Sequence, residues 1–277
     1  MKRLTINIPG DRDKLYQVIK YPAGEIQVRL TPEGIFACTG KDEYVIVANP
    51  IPDFMELAQL KDALDAMPNK FYYTRLDLPY LPFARADRRF VPGDSFGLRV
   101  FANLINSLHF HTVDTFDVHS KVAAQEIPNL VNLDPILHYD QLGPIIERLG
   151  RDRLALIAPD KGAAYRYDLE SFELPVLTAE KVRDSKTGKL SGFKIDEVVK
   201  EYRKALIVDD ICDGGGTFIG LAEEVHKVNP NIELSLYVSH GIFSQGLAKL
   251  EEQFQDRLFI SDFSFKGAHD VIFGDKF

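Results

Sequence analysis

The stretch Ala205-Leu206-Ile207-Val208-Asp209-Asp210-Ile211-Cys212-Asp213-Gly214-Gly215-Gly216-Thr217 constrains the fold of this chain most. Its apolar run reads as a buried parallel strand. An acidic doublet follows, then three glycines closed by a threonine. Phe218, Leu221, Ala222, Val225 and Val228 come next at helical spacing, so the order is strand, loop, helix. Glycines remove the Cβ clashes that keep successive backbone N–H groups from curling around an anion. The helix behind them points its positive end at the same place. Asp209 and Asp210 stand at the carboxyl end of the strand, where open α/β sheets bind ligands. Carboxylates beside an anion nest suit a phosphorylated sugar, through its hydroxyls or through a metal shared by sugar and phosphates. No Lys-Ser/Thr follows the glycines, which excludes a Walker loop.

The rest of the chain alternates strand and helix. Residues 3–8, 25–30, 44–47, 71–78 and 112–116 read as strands, with helices predicted around Met55–Leu64 and Leu98–Leu108. The pattern restarts near Asp140. A helix over 142–149 leads to a strand over 154–158, a turn at Pro159-Asp160-Lys161-Gly162 and a further helix. A short strand is expected at 174–177, then a mobile loop over 178–192. After the organising stretch come a strand over 233–239, a helix over 245–253 and a short strand at 258–260. Such alternation indicates parallel sheets covered by helices. The expected architecture is α/β with two tandem domains over 1–140 and 141–277, each a mostly parallel, Rossmann-like sheet flanked by helices.

At 277 residues the chain has room for two modest domains. Its net charge of −8 argues against general nucleic-acid binding. Cys38 and Cys212 are the two cysteines, too few for a disulfide framework. Pro9-Gly10 cuts the N-terminal apolar run too early for a signal peptide, and no run reaches membrane-span length. A soluble, cytoplasmic protein with neither membrane nor nucleic-acid partner is expected.

The acid-acid-glycine stretch resembles the phosphoribosyl pyrophosphate (PRPP) binding loop of the type I phosphoribosyltransferase fold. Four further segments narrow the resemblance. Tyr21-Pro22-Ala23-Gly24-Glu25 is similar to an aromatic-Ser-Asp-Gly-Glu segment. Pro79-Tyr80 through Ala84-Arg85-Ala86-Asp87-Arg88 is similar to a Pro-Tyr…Tyr-Ala-Arg-Gln-Asp-Arg segment. Asp117-Val118-His119 resembles Asp-Leu-His, and Ala158-Pro159-Asp160 resembles Ser-Pro-Asp. All belong to the ribose-phosphate pyrophosphokinase (PRPP synthetase) family, and simple phosphoribosyltransferases lack the 79–119 pattern.

That resemblance implies a magnesium-dependent transfer of pyrophosphate from ATP to ribose 5-phosphate. It implies that Asp209, Asp210, Asp213, Gly214, Gly215, Gly216 and Thr217 hold ribose 5-phosphate, and that His119 and Asp160 contact the metal. It implies that Arg85 and Asp87 bind ATP, with Tyr21 and Glu25 at the adenine from across a subunit interface, hence a homo-oligomer of at least two subunits. Lys181 and Arg183 resemble the family's catalytic Lys-Arg-Arg segment, with Val182 in place of its middle arginine. Lys186 and Lys189 offer alternative registrations. The chain departs from the family at Ala23, Ala86 and Gly214, and at Val91 and Gly93 where many members carry arginines. Two other functions share parts of the pattern: a PRPP-consuming phosphoribosyltransferase, and a non-catalytic synthetase-like regulatory subunit.

Overall fold

Leu4, Ile6 and Ile8 are buried while Arg3, Thr5 and Asn7 are exposed, the period of a strand with one core face. The computed structural model describes residues 2–49, 53–68, 71–133, 135–183, 190–255 and 257–261. They fall into two compact units, Met1–Leu133 and Asp134–Phe277.

The first unit runs β1 (Arg3–Ile8), β2 (Tyr16–Lys20), β3 (Ile26–Leu30), α1 (Pro32–Cys38), β4 (Glu43–Ala48), α2 (Phe54–Asp65), β5 (Tyr73–Leu78), α3 (Gly97–Asn106), β6 (Thr112–Phe116), α4 (Ala123–Glu126) and β7 (Leu130–Leu133). β1, β4, β5, β6 and β7 form a parallel sheet in that order, and β2 pairs antiparallel with β3. The core gathers Ile6, Ile46, Leu76 and Val113 from one sheet face against Leu57, Leu60 and Leu64 of α2 and Leu98, Phe101 and Ile105 of α3. Alternate positions carry charge instead. Arg3 pairs with Glu43 at 3.0 Å, and Arg75 lies 2.8 Å from Asp77 and 3.6 Å from Asp114. β2, α1, α4 and β7 were not anticipated from the sequence; the Tyr-Gln-Val-Ile-Lys run of β2 shows no clean alternation, and the other three are short.

The second unit runs α5 (Pro135–Leu149), β8 (Leu154–Ala158), α6 (Lys161–Arg166), β9 (Val176–Thr178), β10 (Glu180–Arg183), β11 (Leu190–Lys194), β12 (Lys204–Cys212), α7 (Gly216–Val228), β13 (Glu233–Gly241), α8 (Ala248–Phe254) and β14 (Leu258–Ile260). Its five-stranded sheet is parallel, in the order β14-β13-β12-β8-β9. Both faces are covered. Ala205, Ile207 and Leu236 pack with Leu221 and Val225 of α7, while Leu206, Val208 and Tyr237 pack with Leu142 and Ile146 of α5. Where a mobile loop was expected over 178–192, β10 and β11 pair antiparallel, from Glu180↔Lys194 to Arg183↔Leu190, and 184–189 lie outside the described residues. Phe193 of β11 is buried in the core, and that anchoring draws a polar, glycine-bearing run into regular structure.

One close approach limits a glycine of the first unit. A Cβ on Gly34, in the first turn of α1, would sit 1.9 Å from the Leu15 carbonyl oxygen, while Thr31 caps the same turn and bonds the Lys14 carbonyl. Gly34→Ala is therefore expected to cost about 3 kcal/mol or more of stability, read as a lower urea midpoint; a midpoint within error of the parent would remove this constraint.

Candidate active site

In the second unit the chain moves outward from β8 to β9, then returns to the other side of β8 with β12 and continues to β13. This reversal makes the carboxyl ends of β8 and β12 a topological switch point, the place where open α/β sheets bind ligands. The two strands pair from Lys204↔Leu154 to Ile207↔Ile157, while β12 runs on to Cys212 along β13. Asp209 and Asp210 lie on this extension. Across the gap, Asp160 lies two residues beyond β8 and caps α6, its Oδ1 accepting the Ala163 N–H at 3.1 Å.

Lys181, on the hairpin strand β10, donates to Asp160 Oδ2 at 2.7 Å. Burial works against the Asp160 carboxylate, yet Lys181 and the amides of Ala163 and Gly162 hold its pKa below the ordinary value. Asp209 is in the opposite situation. Burial first, and the adjoining Asp210 second, push its pKa well above the carboxylate range; Asp160 adds to the rise and Lys181 opposes it. Its Oδ1 accepts the Asp210 N–H at 3.0 Å. Asp210 is buried, and Arg166, in the last turn of α6, reaches its Oδ2 at 3.3 Å. The structure thus brings Asp160, Lys181, Asp209 and Asp210 together. Arg166 was missed in the sequence; a cation six positions beyond Asp160 on a short helix was the available signal.

Gly215, with φ +77°, immediately precedes α7, whose amino end carries no side-chain cap. Uncapped N–H groups at the start of a helix suit an anion. A Cβ on Gly214 would lie 3.3 Å from Gln245 Cγ, so the glycine at this departure from the family pattern fits a narrow space. Between the acids and the glycines, the Cys212 thiol is buried and pushed up to about 12, by burial and then by Asp213 and Asp209. Burial and a raised pKa both disfavour the reactive thiolate. Arg183 ends β10, and Lys186 and Lys189 lie outside the described residues.

In the first unit, the loops after the adjacent strands β5 and β6 meet. Asp87 is buried and accepts from Arg88 Nε and Nη2 at 2.7 and 2.8 Å, and from Ser120 Oγ at 2.7 Å. Arg88 foremost, with Ser120 and the nearby His119, holds its pKa at about 2. Arg85 is exposed on the same loop and His119 half-buried beside Ser120. Ser120 was not singled out in the sequence, though it adjoins His119. Tyr21 and Glu25 sit elsewhere, exposed at the β2–β3 hairpin tip, where the Tyr21 N–H donates to the Glu25 carbonyl at 2.9 Å and the Tyr21 hydroxyl to Gln27 at 2.7 Å.

Each unit has the helix-flanked parallel sheet of the type I phosphoribosyltransferase fold, and the second adds acids and an uncapped helix at the carboxyl ends of its strands. A solved phosphoribosylpyrophosphate synthetase from Mycobacterium smegmatis superposes with a TM-score of 0.75 at 17% identity, covering 95% of this chain and 89% of that one. Curated ribose-phosphate pyrophosphokinases are similar in sequence. The one from Pyrococcus abyssi is 28% identical over 241 residues, 83% of this chain and 77% of that protein; the one from Thermococcus kodakarensis is 28% identical over 256 residues, 89% and 84%. No protein-family model matches. In sequence the chain is similar to the ribose-phosphate pyrophosphokinase family over most of its length.

Among the described residues no group of three or more His, Cys, Asp or Glu forms a metal cage. Magnesium needs few protein ligands when phosphates and water supply the rest, and favours hard oxygen donors. Asp160, whose carboxylate is held ionised, fits that chemistry, and His119 fits only as a contact through water.

Two measurements follow from these charges. Because the folded-state pKa of Asp209 is raised, its cost to stability is absent at acid pH and develops as pH rises through the unfolded value near 4 towards the folded one. Asp209→Asn should therefore raise the Tm of the ligand-free protein at neutral pH, by about 2–4 °C for each kcal/mol relieved, and the gain should shrink below about pH 4; an unchanged Tm would mean the acid pair is not strained. Asp87 has the reverse sign. Its stabilisation is present above about pH 4 and lost as pH falls towards about 2. With Arg88 exposed, it amounts to about 1 kcal/mol after solvent screening. Asp87→Asn should flatten acid unfolding across that window, and a profile matching the parent would argue against the ion pair.

Proposed function

We propose that the protein is a magnesium-dependent ribose-phosphate pyrophosphokinase, transferring the β,γ-pyrophosphoryl group of ATP to O1 of ribose 5-phosphate to give PRPP and AMP. The observation that carries this reading is the convergence of Lys181 and Asp160 with the Asp209–Asp210 pair at one switch point of the second unit. A sugar-phosphate loop alone would serve many phosphoribosyl enzymes. A cation held at the same crevice by a paired strand adds a group suited to charge on transferring phosphates.

In this reading Asp209, Asp210 and Asp213 accept hydrogen bonds from the ribose hydroxyls. The backbone N–H groups of Gly214, Gly215, Gly216 and Thr217 hold the 5-phosphate at the start of α7. In the first unit, Arg85 holds triphosphate oxygens, and Asp87, already fixed by Arg88 and Ser120, shapes the loop around ATP. Tyr21 and Glu25 meet the adenine of a neighbouring subunit in a homo-oligomer. In the second unit Asp160 would hold magnesium, which when bound would neutralise charge on the triphosphate; in the first unit His119 would contact metal through water.

In the reaction the bond from O1 to the β-phosphorus forms and the bond from that phosphorus to the α,β-bridging oxygen breaks. The bridging oxygen leaves with AMP and the O1 proton passes to solvent. Lys181 and Arg183 stabilise charge on the transferring group, so positioning and electrostatics supply most of the acceleration.

Incubation with ATP, magnesium and ribose 5-phosphate should yield AMP and PRPP in equal amounts, with none when ribose 5-phosphate is omitted. ADP as the product would overturn the pyrophosphoryl mechanism. Folded protein without turnover, but raising the activity of an added synthetase, would favour the regulatory-subunit reading. Lys181→Ala should lower kcat by about 10²–10³ and shift KM far less; an unchanged kcat would remove Lys181 from the chemistry.

A further inference from the structure

Asp209 and Asp210 are successive residues of a strand, so their side chains leave on opposite faces of the sheet. Asp209 follows Ala205 and Ile207 on the face packed by α7. Asp210 follows Leu206 and Val208 on the other face, which is packed by Ala163 of α6 and by Tyr167. On that face Arg166 lies 3.3 Å from the Asp210 carboxylate, the acid being 7% and the arginine 21% exposed at the side chain. The helix that presents Arg166 is six residues long. Its cap is Asp160, the partner of Lys181. One rigid turn-and-a-half of helix therefore ties the hairpin lysine at one end to the second acid of the ribose loop at the other.

We propose that Arg166 is a positioning residue for ribose 5-phosphate, fixing the direction of the Asp210 carboxylate so that both acids of the doublet meet one sugar although they start on opposite faces. This inference rests on the reading of Asp209 and Asp210 as the ribose-binding acids. A guanidinium suits the task, because its planar fork constrains a carboxylate in direction as well as charge, which a lysine ammonium does not. Loss of Arg166 would leave Asp210 buried with less compensating charge and beside a second acid.

Thermal shift titrations with ribose 5-phosphate and, separately, with ATP and magnesium test the idea on the full-length chain. Ribose 5-phosphate should raise the Tm of the parent protein in a saturable way. In Arg166→Gln its half-saturation should move up by roughly tenfold, the worth of one hydrogen bond to a charged group, while the ATP titration stays put. Arg166→Lys should recover only part of the loss. In the double variant Arg166→Gln/Asp210→Asn, the ligand-free Tm should return towards the parent value while the ribose 5-phosphate response stays weak, an outcome that a merely structural role for the pair does not produce. A parent-like half-saturation in Arg166→Gln would overturn the proposal, as would equal weakening of both titrations or a double variant that regains the sugar response with its Tm. If Arg166→Gln does not fold, the Lys and double variants decide by the same criteria. A parent protein that does not respond to ribose 5-phosphate at all would overturn the functional reading itself, and this inference with it.

Discussion

The parallel pairing of β8 with β12 stops at Ile207↔Ile157, five residues before β12 itself ends at Cys212. Within the sheet each strand satisfies its neighbour's backbone, and the apolar residues on both faces lock the register. Beyond Ile207, β12 keeps β13 as a partner and leaves its β8 side open. That opening lets Asp160 turn into α6, lets the β10–β11 hairpin bring Lys181 back over the strand ends, and leaves room for the acid doublet. Had β8 followed β12 to its end, ladder hydrogen bonds would have filled the crevice.

The chemistry of the crevice is set by an imbalance of charge. Three carboxylates, Asp160, Asp209 and Asp210, share a small volume with Lys181 and Arg166. The cations are not spread evenly. Lys181 holds Asp160 below the ordinary pKa, whereas burial and the neighbouring acid push Asp209 above it. The Asp209 carboxyl is therefore the less favourable of the two to ionise. Binding sites commonly keep such locally unfavourable groups at the expense of stability. In the first unit the acid of the loop after β5 is instead satisfied internally, by Arg88 and Ser120. Asp87 is thus held by its own loops, whereas in the second unit burial and the neighbouring acid leave Asp209 strained.

Two departures from the family pattern, Gly214 and Ala23, suit their surroundings. Gly214 occupies a space in which a larger side chain would press on Gln245, while backbone N–H groups at the start of α7 remain suited to an anion. Ala23 sits in the exposed hairpin tip between Tyr21 and Glu25, where the turn is closed by backbone hydrogen bonds that any residue can supply. Neither substitution disturbs the geometry around it.

Much of this was legible in the sequence. The apolar run 205–208, the acids and the glycines announced strand, loop and helix, because a buried parallel strand is continuous in hydrophobicity and a glycine-rich turn has a composition of its own. Most strands of both sheets were legible from the same patterns, and the family from short motifs at ordered spacing. What the sequence left open is non-local. The β10–β11 hairpin carries a polar, glycine-bearing run that reads as loop, yet it pairs as two strands with Phe193 buried in the core. The Lys181–Asp160 pair joins residues 21 positions apart, and the Asp87–Ser120 bond spans 33. Arg166 looked like any surface cation until α6 folded back onto β12. The sequence by itself determined which groups exist and which elements carry them, since propensity and periodicity act over a few residues. The tertiary structure decided which charges meet, because burial and sheet order act between segments that the chain keeps far apart.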